Sequence, residues 1–503
     1  MIAEFVKNQI SGSGFISLIA RAEHAAGQAF VRAGRKSAVV HAFGPLFARL
    51  DQLGEKRKDS FFCALAAKLY AIVLTVVRAV YTGISRVPGL RFITTAADAL
   101  LKLRLCDITA VLLSAMLCIY HDRWNNGYML LAAIFLAALY LVRACRGERP
   151  EARLPASLYL FLLVSVAVIP ITGASIGENL RVYVYFLTAF AFFFVLAGSV
   201  ENTEDLRRVL MILYIAVLYN SFLAIIQSHY GVPINKSYTD METNPDMPGR
   251  IYASFYNPNN FAEILVLLIP GCFAAWITAP RLTKAAKAVM GLSFILPILA
   301  LVFTYSRSAW ISFALTVAAS VGLMNVALIP VALVLVIVAI PFLPQGIKSR
   351  FLSLFSGTDT SVSYRMLIWQ GCRDMMGESP LGGIGLGPNN FYDVYSRFMS
   401  EDAMQAPHSH NLFWEIWFEF GAVGFLSYIS FYLATMKSTL LCALRRGTEN
   451  RVFSIALFST MFGMLFISLV EYVWFYPRTM LCFFTILGLM WALVRIAAKE
   501  ARA

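Results

Sequence analysis

Apolar runs of about 17–25 residues recur along this chain, separated by shorter polar stretches. An α-helix rises about 1.5 Å per residue, so each run matches the roughly 30 Å of hydrocarbon in a bilayer. Twelve spans are expected, at roughly 106–121, 128–144, 155–175, 180–200, 207–228, 259–279, 285–304, 308–324, 326–344, 411–437, 453–473 and 475–495. Composition agrees. The 503 residues are 59% hydrophobic and 14% charged, whereas soluble domains carry roughly 25% charged residues. The expected fold is an all-α polytopic membrane protein. The links near Met324–Asn325 and Trp474–Phe475 look short enough to make tight antiparallel hairpins.

The net charge of +13 would suggest nucleic acid in a soluble protein. In a membrane protein it reflects Lys and Arg gathered in cytoplasmic loops, so no nucleic-acid partner is expected. Most of the 42 Lys and Arg fall on one side if both termini are cytoplasmic. The start of the chain lacks a basic region followed by an apolar core, so no cleaved signal peptide is expected. The eight cysteines show no paired spacing that would suggest a disulfide framework or a zinc site. Residues 1–105 form a basic N-terminal region. Within it, 61–84 could span, but Lys68 and Arg78 interrupt the run, and helices lying on the anionic inner leaflet are preferred. Residues 106–344 carry spans one to nine, 345–410 a large outer loop, and 411–503 the last three spans and a tail. The outer loop contains Trp369, Phe391, Tyr392 and Tyr395, which suggests a small folded cap.

Candidate chemistry gathers on the outer side. His408 and His410 open the run "HSHNLFWEIWFEFGAVGFL". A metal pair lacks a third ligand at a recognisable spacing. If a helix begins near His410, then Trp414, Trp417, Gly421 and Gly424 share its face. The two glycines would admit a neighbouring helix. Imidazole at such a mouth can take a proton from a hydroxyl near neutral pH. Arg250, Arg307 and Arg365 lie at membrane edges beside small and aromatic residues, where guanidinium suits bidentate phosphate binding. Glu263, Glu415, Glu419 and Glu471 lie in or near spans and are candidates because charge there is costly. Glu415 and Glu419, one turn apart, could orient an arginine. The stretch "ESPLGGIGLGPNNF" (378–391) reads either as a turn shaped by glycines or as a backbone nest for phosphate. There is no Walker A sequence and no D-x-D, so neither ATP nor a metal-dependent sugar nucleotide is expected, and no cofactor is assigned.

One spacing goes further. His410 and Asn411 are followed by nine residues, Leu412 to Phe420, and then by Gly421 and Gly424 framing two residues. With "RIYASFYNPNNFA", "TYSRSAW" and "YRMLIW…SPLGGIGLGPNNF", this resembles the O-antigen ligase/polymerase superfamily of bacterial envelope glycosyltransferases over about residues 105–495. The resemblance implies twelve helices, a C-type-like, metal-independent glycosyltransferase architecture and a glycan donor on undecaprenyl diphosphate. It implies that Arg365 and Arg307 bind the departing diphosphate, with Arg250 a weaker third. His410 would be general base on an acceptor hydroxyl, supported by Asn411, Glu415 and Glu419, with His408 tuning the loop. Its location would be the bacterial inner membrane, among membrane lipids, with the site facing outward. Ligase and polymerase are not separated by the motif. A lipid-linked glycan transporter or flippase is the alternative from another class.

Overall fold

The computed structural model describes residues 61–146, 154–172, 175–234, 249–280, 282–325, 341, 345–352, 360–378, 381–400, 405–445 and 447–500. In chain order its helices are α1 (Phe61–Arg86), α2 (Arg91–Leu100), α3 (Leu105–Cys118), α4 (Gly127–Cys145), α5 (Ala156–Ile171), α6 (Ile176–Ser199), α7 (Thr203–Tyr230) and α8 (Pro258–Ile277). They continue as α9 (Lys284–Ser293), α10 (Ile295–Phe303), α11 (Arg307–Met324), α12 (Gln345–Leu352), α13 (Thr360–Glu378), α14 (Pro388–Tyr395), α15 (Leu412–Leu444), α16 (Arg451–Val470) and α17 (Pro477–Glu500). No strand occurs among the described residues.

Among the described residues, ten helical segments are long and apolar enough to cross a membrane. Every expected span coincides with helix except 326–344, which apart from residue 341 lies outside the described residues. Two differences matter. The spans expected at 106–121 and 155–175 are the shorter helices α3 and α5. The segment 61–84 is one continuous helix, α1, with a span's length and composition. Its hydrogen bonds reach one end of α4. Arg78 Nη2 donates to Cys145 O at 3.0 Å, Cys145 Sγ approaches Leu74 O at 3.4 Å, and Arg146 Nη2 donates to Tyr81 Oη at 3.0 Å.

Helices α8 and α17 run through the middle, buried on nearly every face, while α1, α9 and α10 turn broad apolar surfaces outward. A helix apolar all round belongs inside a bundle or against lipid. Close approach is set by small residues where dispersion contacts replace the hydrophobic drive. Gly463 of α16 faces α11, where an added Cβ would stand 2.5 Å from Ser312 O and press on the Thr316 hydroxyl. Gly488 of α17 likewise meets the backbone of Phe193 in α6.

The link expected at Trp474–Phe475 is longer than two residues. Helix α16 stops at Val470 because Glu471 takes an extended backbone (φ −144°, ψ 148°), and α17 restarts at Pro477. Proline suits a first helical position, where its missing N–H has no partner to lose. Glu471 is thereby placed on the turn. At the same end, α13 and α14 from the long loop form a separate apolar cluster. Ile368, Cys372, Met375, Phe391 and Tyr395 pack there with Phe418 of α15.

Replacing Gly463 by Ala sets about 1 kcal/mol of helix propensity against an overpacking cost of about 1–3 kcal/mol. Backbone oxygen cannot swing aside, so Gly463→Ala should lower thermal stability in detergent. Gly83→Ala, with nothing within 4 Å of the added carbon, should raise it slightly. Tm measurements on both variants check the pair.

Candidate active site

Helix α15 begins at Leu412, two residues later than the spacing argument supposed. His410 therefore precedes the helix and adopts φ 50°, a left-handed conformation that histidine tolerates better than branched residues. It does not share a helical face with Trp414, Trp417, Gly421 and Gly424. Asn411 is the N-cap. Its Oδ1 accepts from the backbone N–H of Phe413 and Trp414 at 2.9 and 3.1 Å, and its Nδ2 donates to Leu469 O at 2.9 Å. Capping satisfies donors that the helix itself leaves open. The same side chain locks the start of α15 to the end of α16, just before Glu471.

His408 holds the strained turn from the other side. Its Nδ1 accepts the His410 backbone N–H at 3.1 Å. Burial, with the charges of His410 and Arg365, lowers the His408 pKa well below 6.5, against the pull of Glu471. A neutral ring is what this bond requires, because a protonated Nδ1 has no lone pair to offer. Ser409 is fixed by Glu415, whose Oε2 accepts its N–H at 2.8 Å and its hydroxyl at 2.6 Å. Trp369 of α13 donates Nε1–H to Ser409 O at 2.9 Å.

Glu471 joins the parts. One carboxylate oxygen accepts from Arg365 Nη2, and the other lies 3.0 Å from His410 Nδ1. Burial alone would raise this carboxyl. The Arg365 charge and the hydrogen bond and charge of His410 outweigh it and hold the pKa at about 2. Donation from Nδ1–H to the carboxylate leaves the lone pair on Nε2, the arrangement that orients an imidazole base.

The arginines gather around this pair. Arg250 is buried; its Nε donates to Thr304 O at 2.8 Å and its Nη2 to Asn259 Oδ1 at 2.5 Å. Arg307 follows that same Thr304 turn as the first residue of α11 and is also buried. Burial and the nearby charges of Arg350, Arg307 and Arg365, with Glu471 opposing, lower Arg250 to about 9. Arg350, from α12, is the member that spacing and motif reading missed. Four guanidiniums thus share a site with one strongly acidic carboxylate. That imbalance suits a multiply charged anion. Among the described residues, no group of three His, Cys, Asp or Glu side chains is placed to hold a metal ion.

Gly424 meets Val164 of α5, the helix contact expected of it, whereas Gly421 acts differently. At Gly421 the backbone turns to φ 69°, interrupting α15. The loop segment 381–384 lies along the break: Ile384 N–H donates to Phe418 O at 2.6 Å and Ala422 N–H to Leu381 O at 3.2 Å. A Cβ at Gly421 would stand 2.8 Å from Leu381 O, and one at Gly383 equally close to Glu419 O. These glycines of 378–391 permit close backbone approach. Gly387 N–H donates to Glu419 Oε1 at 3.1 Å, and Tyr472 Oη–H donates to Glu419 Oε2 at 2.9 Å. Neither Glu415 nor Glu419 holds an arginine in these bonds; that partner is Glu471. The sequence had marked Glu471 only as acidic near a span. Its place beside His410 depends on two turns 61 residues apart, for which local spacing carries no signal.

Residues 292–429 match the family model described as O-antigen ligase. The matched stretch contains Arg307, Arg350, Arg365 and His410, and supports the O-antigen ligase/polymerase superfamily. No curated protein gives a significant match.

Arg250 generates a pH dependence. A cation with its pKa lowered to about 9 is charged below that pH and regains affinity for a proton when an anion binds. A soluble diphosphate diester, whose own charge is constant over this range, should therefore bind with constant affinity from pH 7 to 8. It should weaken as pH rises past 9, by up to about tenfold per unit, with proton uptake on binding. Calorimetry in buffers of different ionisation enthalpy measures both, and Arg250→Gln should flatten the curve.

Proposed function

We propose that this chain, whose residues 292–429 match the O-antigen ligase family model, transfers a glycan from undecaprenyl diphosphate to an acceptor hydroxyl. The contact of one carboxylate, Glu471, with both Arg365 and His410 carries this reading. It couples a base to an anion-binding cluster, as such a transfer requires.

In the proposed reaction the acceptor hydroxyl lies against His410 Nε2. As the hydroxyl oxygen bonds to the anomeric carbon, its proton passes to Nε2 and the bond from that carbon to the diphosphate oxygen breaks. Positive charge developing on the imidazole is stabilised by Glu471 through Nδ1–H. Negative charge arriving on the diphosphate meets Arg365, Arg307, Arg250 and Arg350. Oriented donors facing developing charge typically contribute about 10²–10³-fold each. A single displacement of this kind inverts the anomeric configuration.

Asn411, Glu415 and His408 serve as positioning residues through the bonds already described, and Glu419 positions the glycine-rich loop. The acceptor, another lipid-linked chain for a polymerase or a finished surface lipid for a ligase, is the remaining variable. The proposed location is the bacterial inner membrane with both termini cytoplasmic and the site outward. Contact of α1 with the Cys145 end of α4, the side assigned to the cytoplasm by basic residues, supports keeping residues 1–105 inside.

His410→Ala should reduce kcat by about 10²–10⁴-fold and Arg365→Ala by about 10²–10³-fold. Normal surface polysaccharide in cells carrying correctly inserted His410→Ala protein would remove the base from this scheme. Long chains left on the lipid carrier would mark a ligase, single repeat units a polymerase. Glu471→Gln should lower kcat by about 10–100-fold, as loss of an orienting partner does for histidine ligands. It should change KM little and alter the pH–rate profile, which steady-state kinetics on nanodisc-embedded protein can follow.

A further inference from the structure

A concave site lies near the histidine turn, and the chemistry proposed above leaves it unused. Its volume is about 390 Å³, within the range of small-molecule sites, and its walls include His121, Trp124, Tyr256, Asn260, Tyr476 and Arg478. Three separate turns meet here: the link between α3 and α4, the turn before α8, and the turn before α17.

The walls are held firmly. Trp124 Nε1–H donates to Asn126 Oδ1 at 2.8 Å. The Arg478 guanidinium lies between Trp124 and Phe255, 4.6 and 4.3 Å from their ring centres, and donates to Ile119 O and Ser254 O. Tyr256 adopts φ 66°, a costly conformation for an aromatic residue, and is 49% exposed. Its ring lies 5.0 Å from that of His121. Burial foremost, and the charge of Arg478, lower the His121 pKa against the opposing Asp122, so its imidazole offers one donor and one acceptor.

These features select a ligand class. Arg478 spends a donor from each terminal nitrogen on backbone carbonyls and lies against two rings. Among the described residues no second Arg or Lys lines the cavity, unlike the four-arginine cluster, so a second diphosphate site is disfavoured. Rings beside an amide and a neutral imidazole suit a molecule with C–H faces edged by hydroxyls. A pyranose has that form, and an aromatic wall takes its apolar face while leaving polar edges to the amides.

A chain of ring contacts links the cavity to the reacting groups. His410 lies 4.2 Å ring to ring from His408, His408 4.4 Å from Phe475, and Phe475 5.0 Å from Tyr476, which lines the cavity. On the other side, Asn257 donates to Tyr476 Oη at 2.9 Å, while Asn259 of the same turn accepts from Arg250. We propose that this cavity is a saccharide subsite, built by Tyr256, Trp124 and Tyr476, that holds a sugar ring of one of the two chains being joined. It rests on the glycan-transfer reading for its role, while its occupancy is testable without turnover.

The test uses full-length protein in nanodiscs and, as probe, oligosaccharide released by mild acid from the native host's surface polysaccharide, free of phosphate. Saturation-transfer NMR should show saturable binding to wild type. Tyr256→Asn, whose new residue tolerates positive φ, and Trp124→Ala, on a separate turn, should each weaken binding by at least about tenfold, the scale of one lost stacking partner. His410→Ala, which removes at most one contact to an acceptor hydroxyl, should weaken binding less than Tyr256→Asn does. Retained pyrophosphate binding establishes that the variants are folded. Absence of saturable binding to wild type, or affinity unchanged in both Tyr256→Asn and Trp124→Ala, would overturn the subsite. Loss in His410→Ala equal to that in Tyr256→Asn would also overturn it by placing the sugar elsewhere. In transfer assays, the KM that rises in Tyr256→Asn, for acceptor or for lipid-linked donor, identifies which chain supplies the ring. Wild-type protein that binds the probe yet transfers no glycan would sink the transfer reading alone.

Discussion

The carboxylate of Glu471 is the contact on which the site depends. It lies in the turn between α16 and α17, yet it holds Arg365 of the loop helix α13 and His410 before α15. Burying a carboxylate costs several kcal/mol unless charge and hydrogen bonds compensate. Here two partners do so, and the acid stays ionised far below its ordinary pKa. The compensation requires both partners to be present. The loop cap and the membrane helices are therefore coupled through one side chain, and the imidazole is turned to leave Nε2 available.

Strain concentrates at the same end of the bundle. Among the described residues, the non-glycine positions with positive φ are Ala253, Tyr256, Tyr305 and His410. They lie in the turns that carry Arg250, Arg307 and the histidine pair. Such conformations cost of order 1–3 kcal/mol each and persist only where surroundings over-determine them. The surroundings here are explicit: Gln227 Oε1 accepts from the backbone N–H of Tyr252 and Ala253 at 3.1 and 2.8 Å, and His408 takes the N–H of His410. The break at Gly421 belongs to the same pattern, since it opens the wall of α15 to the backbone of residues 381–384.

Much of the fold was legible because hydrocarbon imposes length and apolarity on each crossing. The apolar helices from Leu105 to Glu500 could be placed from runs of residues alone, but α12, α13 and α14 of the polar loop could not. Boundaries were less legible where capping decided them. Asn411 ends the loop and starts α15, so the helical-face argument for His410 failed even though the residue lies in the site. Arg250, Arg307 and Arg365 could be singled out because arginine at a membrane edge is costly and their segments matched a motif. Arg350 lay in the polar loop with no such context. Glu471 was visible as an acid near a span, but its partners come from distant turns.

The sequence by itself determined a polytopic helical bundle, the loops rich in polar and aromatic residues, and the residue types able to bind an anion and move a proton. Those follow from the one-dimensional cost of placing each side chain in hydrocarbon. Only the tertiary structure decided which carboxylate meets His410, that a fourth arginine joins the cluster, and that Gly421 admits a loop where a helix had been expected. It also decided that aromatic residues from three separate turns enclose a cavity near the histidines. Each of these depends on distances between turns far apart in the chain, set by how whole helices pack, and local spacing carries no record of that packing.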